Sequence, residues 1–182
     1  MKRKDRITVE TFDFVQGCLD LLILLLPPFL RRAIYRITFK EFGRNIYIGP
    51  KCFFRYPWKI LIGSNSSIGR GCQIYPSFQN KDAFVTIGND VLIGPNLCVY
   101  GAGHPVESPI DEHVGESVII GDSVYIGGNV LIRYGVTIGA NSIVAMGSVV
   151  VSDIEPFSVY GGNPAKLLKR IAYRPEIWLA DI

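Results

Sequence analysis

Histidine is scarce in this chain: 182 residues hold two, His104 and His113. That weighs against a metal held by three histidines. Four cysteines, Cys18, Cys52, Cys72 and Cys98, stand far apart, and no two are spaced as C-x-x-C. That argues against a structural zinc site or a disulfide framework and fits a reducing compartment. Charge is sparse as well, at 19% of residues, with a formal excess of +3. So small an excess does not mark a nucleic-acid binder. Much of it sits near the ends, in Lys2, Arg3, Lys4, Arg6, Arg31 and Arg32 and again in Lys166, Lys169 and Arg170. What the chain has in quantity is apolar side chain, 48%. That is enough to exclude wholesale disorder and to bury the core of one domain.

No clean apolar run reaches the ~20 residues needed to span a bilayer. The nearest approach is Phe12 to Leu30, where Leu19 and Leu21 to Leu26 are almost continuous. Asp13, Gln16 and Asp20 interrupt it at one end and Pro27-Pro28 break it at the other. The basic start has no small-x-small cleavage site after it, which argues against a secretory signal. Residues 1–45 are therefore expected to form an N-terminal apolar and basic helical segment. Two readings of it stand. It packs on the rest of the protein or on a neighbouring subunit, or residues 12–36 lie in a membrane interface with Arg31, Arg32 and Arg36 meeting anionic headgroups.

From residue 46 a different pattern takes over, clearest between Ile120 and Ser152. A branched aliphatic residue returns every six positions at Ile120, Ile126, Ile132, Ile138, Val144 and Val150, commonly followed by Gly. Small or β-branched residues recur four places later, at Val124, Val130, Val136, Ser142 and Ser148. A period of six fits neither a helix face nor a single alternating strand; it marks a solenoid of short strands and turns. Earlier units stand at Ile48, at Ile62, Ile68 and Ile74, and at Ile87, Ile93 and Val99. Three hexads per coil make a triangular prism, with apolar side chains stacked inside and Gly or Asn easing the corners.

The body of the prism is placed at residues 46–155. Phe53 to Trp58 reads as an aromatic insertion, and residues 79–84 and 105–117 as two further ones. Insertions leave such a prism at corners and tend to carry binding function. Residues 156–182 read as a cap, with turn residues Pro156, Gly161-Gly162 and Pro164, then a short helix over Ala165 to Tyr173 that covers the open strand edges. Cys72 falls at a small-residue place of its hexad and is read as a buried spacer.

These hexads resemble the left-handed parallel β-helix of the hexapeptide-repeat acyltransferases. Val85-Thr86-Ile87-Gly88-Asn89-Asp90-Val91-Leu92-Ile93-Gly94-Pro95-Asn96 and Gly103-His104-Pro105-Val106 are similar to galactoside and maltose acetyltransferases. So are Val124-Tyr125-Ile126-Gly127-Gly128, Gly135-Val136-Thr137-Ile138-Gly139 and Gly161-Gly162-Asn163-Pro164-Ala165-Lys166. This similarity covers residues 82–171. Tyr56-Pro57-Trp58-Lys59, with Ile74-Tyr75, resembles the acetyltransferases of colanic-acid-type exopolysaccharide pathways over a shorter stretch.

The resemblance implies an all-β fold, acetyl-CoA as acyl donor, no metal, and a homotrimer with sites between adjacent prisms. It makes His104 the general base, for which an imidazole titrating near neutrality is suited; the alternative is a turn histidine that merely precedes a proline. A backbone N–H in the Gly127-Gly128 region would stabilise the oxyanion. Asp82 aligns with an acceptor-binding acidic residue, and the alternative is a surface-loop aspartate. The family's acceptor-contacting Asn has no clear counterpart around Ile74 to Phe78. Glu107 resembles an acidic residue that orients the imidazole or lines the loop. His113, in a loop with Asp111, Glu112 and Glu116, reads as a solvated loop residue.

For coenzyme A the aligned positions are Gly128 and Met146 along the pantetheine arm, with Val151 and Ser152 nearby. Lys166 and Lys169 would meet phosphates or adenine, unless they belong to a solvated cap. Tyr125 stands where relatives carry Trp. The expected activity is transfer of acetyl to a sugar hydroxyl in bacterial surface polysaccharide or glycolipid biosynthesis. The expected location is the cytoplasm, with peripheral contact at the inner face of the membrane. The alternatives are N-acetylation of an amino-sugar nucleotide and a non-catalytic membrane-associated scaffold. Two histidines weigh against the carbonic-anhydrase branch of this fold. No nucleotide fold is read before the ladder, which excludes the two-domain uridylyltransferase arrangement.

Overall fold

The structure, a computed structural model, describes residues 3–104 and 113–172, without the side chains of residues 3–10, 12, 13 and 20. The chain divides into two units, residues 1–38 and 39–182. The first is helical: α1 (Arg3–Leu25) and α2 (Pro28–Thr38). Pro27-Pro28 separates them because a proline ring offers no N–H and clashes with the preceding turn, while Pro28 is at ease as a first helical residue.

The second unit is the expected prism of stacked coils. Its first coil is β1 (Glu41–Phe42), β2 (Tyr47–Ile48) and β3 (Phe53–Phe54), and its second is β4 (Ile60–Ile62), β5 (Ser67–Ile68) and β6 (Gln73–Tyr75). The third is β7 (Val85–Ile87), β8 (Leu92–Ile93) and β9 (Cys98–Tyr100). A hairpin of β10 (Ala102–Gly103) and β11 (Val114–Gly115) leaves the ladder there. The fourth coil is β12 (Val118–Ile120), β13 (Tyr125–Ile126) and β14 (Leu131–Ile132). The fifth is β15 (Thr137–Ile138), β16 (Ile143–Val144) and β17 (Val149–Val150), followed by β18 (Ser158–Gly161) and β19 (Lys166–Arg170). Parallel pairing runs coil to coil on three faces. The first face stacks β1-β4-β7-β12-β15, the second β2-β5-β8-β13-β16-β18, and the third β3-β6-β9-β14-β17.

The hexad positions explain the winding. Ile62, Ile87, Ile120 and Ile138 on the first face are at most 2% exposed and lie in register above one another. The small residues four places on are buried too, among them Cys72, Val124, Val130, Ser142 and Ser148. The corner proper falls three residues after each inward aliphatic, where Asn65, Asp90, Asn96, Asn129 and Asn141 have φ between 57 and 60 or close to it, with Asp90 at 55 and Asn65 at 58. Asn and Asp tolerate that left-handed region best among residues with a side chain. The Gly directly after the aliphatic has another role. A Cβ on Gly63 would lie 2.5 Å from the carbonyl carbon of Gly88, and one on Gly127 would lie 2.5 Å from the Met146 nitrogen. These glycines let adjacent coils touch, and the Asn residues turn the corners.

Three expectations are revised. The ladder begins at Glu41, one hexad before residue 46, because Phe42 and Phe54 take inward places where aliphatics were sought; Phe54 is 5% exposed and pairs with Ile74. The aromatic stretch is therefore mostly a rung, and only residues 55–59 leave the ladder. The helix expected over Ala165 to Tyr173 is instead β19 across its described core, antiparallel to β18 with Gly161 opposite Lys166 and Val159 opposite Lys169. Its competing partner explains the difference: Gly161-Gly162-Asn163-Pro164 reverses the chain straight onto the unpaired edge of β18. The ladder bonds available there outweigh a short helix of marginal stability.

Candidate active site

All three insertions, residues 55–59, 76–84 and 101–117, join a third-face strand to the first-face strand of the next coil. They therefore pile on one corner of the prism. Lys59, 7% exposed, reaches from the first to the second, its Nζ donating to the Ser77 carbonyl at 2.6 Å and to the Asn80 carbonyl. Desolvation lowers its pKa from 10.5, and the charge of Asp82 partly offsets this. Asn80 passes the link on: its Nδ2 donates to the Gly115 carbonyl at 2.8 Å, and its Oδ1 accepts from the Asp82 backbone N–H at 3.0 Å.

The third insertion leaves the prism as the β10–β11 hairpin, with Ala102 opposite Gly115 and Gly103 opposite Val114. His104 and His113 are the next residues out on the two strands, both exposed. Their ring centroids are 4.3 Å apart with planes inclined at 47°. The stem is wedged on both sides. A Cβ on Gly103 would strike the ring of Tyr134 from the fourth coil, and one on Gly115 would strike Ser77. Tyr134 is itself covered by Arg133, whose guanidinium stands 4.5 Å from the ring centre.

One corner thus holds His104, His113 and the exposed Asp82, with Asn80 and Lys59 beneath. Val151 and Ser152, both exposed, turn at the same corner two coils further along the axis. Gly128 and Met146 lie at the opposite edge of the third face, stacked in consecutive coils, with the Gly147 N–H donating to the Gly128 carbonyl at 2.9 Å. Met146 is 78% exposed. Lys166 and Lys169 are exposed on β19, the terminal strand of the second face, and Tyr125 is exposed on that face. Glu107 lies outside the described residues. A single chain therefore gathers the acceptor candidates and His104 on one edge and carries Gly128 and Met146 on another.

Three thiols take no part in this corner. Cys72 is fully buried, its thiol directed at the Gly94 carbonyl at 3.4 Å. The hydrogen-bonded Cys52 thiol beside it, and then burial, push its pKa up, as burial does for Cys98. His113 is exposed, as a solvated loop residue would be, but sequence reasoning placed neither it beside His104 nor Asn80 beside Asp82. The clue to His113 is parity: in a tight antiparallel stem, residues equidistant from the loop centre face one another. Asn80 lies just beyond the stretch searched for an acceptor-contacting Asn.

A protein-family model, "Bacterial transferase hexapeptide (six repeats)", matches residues 117–152. The chain is 37% identical over 153 residues to the galactoside O-acetyltransferase of Escherichia coli strain K12, a match covering 80% of this chain and 71% of that one. Among solved structures, a hexapeptide-repeat acetyltransferase from Vibrio cholerae complexed with acetyl coenzyme A superposes with a TM-score of 0.79 at 34% identity, over 91% of this chain and 90% of that one. A galactoside acetyltransferase in complex with coenzyme A gives 0.77 at 32% identity, over 87% and 80%.

Proposed function

Because the chain belongs to the hexapeptide-repeat acetyltransferases, we propose that it carries acetyl from acetyl-CoA to a hydroxyl of a sugar, in the building of a bacterial surface polysaccharide or glycolipid. The observation that carries this reading is the placement of His104: an exposed imidazole at the outer end of a wedged hairpin stem, on the corner that also bears Asp82. An alcohol is a poor nucleophile at neutral pH, whereas the thioester is already activated. His104 accepts the hydroxyl proton as oxygen attacks the acetyl carbonyl. The tetrahedral intermediate collapses, the C–S bond breaks, and the imidazolium returns its proton to the departing thiolate. The Gly127 N–H is engaged with the Val144 carbonyl at 2.8 Å, so within that pair the Gly128 N–H is the donor for the oxyanion. Asp82 receives other hydroxyls of the sugar. An acyl-enzyme is not part of the scheme, since the transfer is direct.

For coenzyme A, the half-buried Gly128 and the exposed Met146 offer backbone and an apolar wall to the pantetheine, and Lys166 and Lys169 offer charge to its phosphates. Their separation from His104 by the third face supports a homotrimer, in which one subunit's His104 meets its neighbour's coenzyme-binding edge. No described helix is long and apolar enough to cross a membrane. A cytoplasmic enzyme touching the inner membrane face peripherally through residues 12–36 fits the exposed apolar and basic side chains of α2.

Thiol release from acetyl-CoA in the presence of sugar acceptors tests the scheme. His104→Ala should lower turnover by roughly 10²–10⁴, the usual worth of a general base. Equal activity in the variant would remove His104 from the mechanism. The acetylated product should be lost in mild base, as esters are; a product that persists would be an amide and would replace the O-transfer reading.

A further inference from the structure

Resting on His104 as the base, we infer that His113 is a positioning residue of the active site, its ring packing on that of His104 and holding the imidazole toward the acceptor. The register of the hairpin sets up the encounter. Since Gly103 faces Val114, the next pair outward is His104 with His113, and directly opposed side chains of an antiparallel pair stand about 5 Å apart on the same side. The rings meet, with centroids 4.3 Å apart and planes inclined at 47°.

Each strand of the stem is fixed on its own. The β10 side rests on Tyr134 at Gly103, and the β11 side rests on Ser77 and Asn80 at Gly115, with the Asn80 amide bonded to the Gly115 carbonyl. His113 is thus supported by the second insertion while His104 is supported by the fourth coil. A small misplacement of a base is costly in rate. A ring laid against the His104 imidazole from a separately braced strand narrows the orientations it can take.

The experiment exploits the scarcity of histidine. With two imidazoles in an untagged chain, ring resonances of labelled histidine are assigned by single replacement. Substituting His113 by Ala should shift the His104 ring resonances; unshifted resonances overturn the contact. In steady-state assays with galactosides and maltose as acceptors, His113→Ala should lower kcat roughly tenfold with KM for acetyl-CoA unchanged. His113→Phe, which keeps a ring, should recover most of the loss. In a His104→Ala background the same replacement should cost nothing further. A His113→Ala enzyme with wild-type kcat, or a Phe variant as poor as Ala, overturns the assignment. A fully active His104→Ala enzyme would instead overturn the base on which it rests.

Discussion

An ammonium group gives up hydration when buried, so Lys59 needs acceptors, and the two carbonyls it finds belong to a different insertion. The side chain is a clasp. Replacing it by Met leaves the volume and strands both carbonyls, a change worth about 1–3 kcal/mol of stability. In urea titrations Lys59→Met should be less stable by that margin. Its KM for the acceptor should rise while coenzyme A affinity holds, because the second insertion carries Asn80 and Asp82. The pH dependence has a definite sign. The folded-state pKa of Lys59 lies below 10.5, so between the two values the unfolded chain binds more protons and this group adds stability as pH rises. The raised pKa values of Cys72, Cys98, Tyr75 and Tyr100 act in the opposite sense. The difference between wild type and Lys59→Met isolates the lysine: that increment should be missing from the variant, and a parallel pair of curves would refute the clasp. None of this was legible in the sequence, where Lys59 closes an aromatic motif and nothing in its spacing tells how far the amine reaches. His113 was hidden for the same reason, since its partner is set by hairpin register across a long loop.

At the scale of elements, periodicity carried what could be read. A strict six-residue return of Ile and Val forces the same inward position coil after coil, so the second to fifth coils follow from spacing alone. The first was obscured because Phe42 and Phe54 hold the inward places, and β19 because Lys166 to Ile171 alternates in a way a helix could also use. Only the vacant edge of β18 decides between the two. The N-terminal helix α2 makes the opposite case, an element whose surroundings the sequence must supply. Leu30 and Ile37 are 41% and 82% exposed, and Arg32 and Arg36 lie one turn apart on another side. If this helix meets an anionic bilayer as proposed, each Arg near the surface contributes about 1 kcal/mol. The full chain should sediment with vesicles containing phosphatidylserine and be released by high salt. Replacing Arg31, Arg32 and Arg36 together by Glu should abolish sedimentation without altering thiol release in solution. Equal binding of the variant, or none by the wild type, would take the membrane out of the account.

For the whole molecule, the prism geometry poses a question of completeness. His104 sits where the third face meets the first, while Gly128 and Met146 sit where the second meets the third, and a thioester cannot be in both places. Packing prisms about a threefold axis brings unlike edges of neighbours together, as a heterologous interface that closes into a ring must. A site of that kind draws its base from one subunit and its coenzyme wall from the next. Two inactive variants should then complement: His104→Ala lacks the base, and Gly128→Trp fills the coenzyme edge with a side chain. Mixed by co-expression, or by unfolding and refolding together, random assortment should leave about a quarter of the sites with both edges intact. Thiol release should recover to about that fraction of wild type, while separately prepared variants combined without exchange stay silent. If every site were built within one chain, no mixture would recover anything. A mixture that stays inactive while both variants are shown to share oligomers would return the coenzyme to the subunit that holds the histidine.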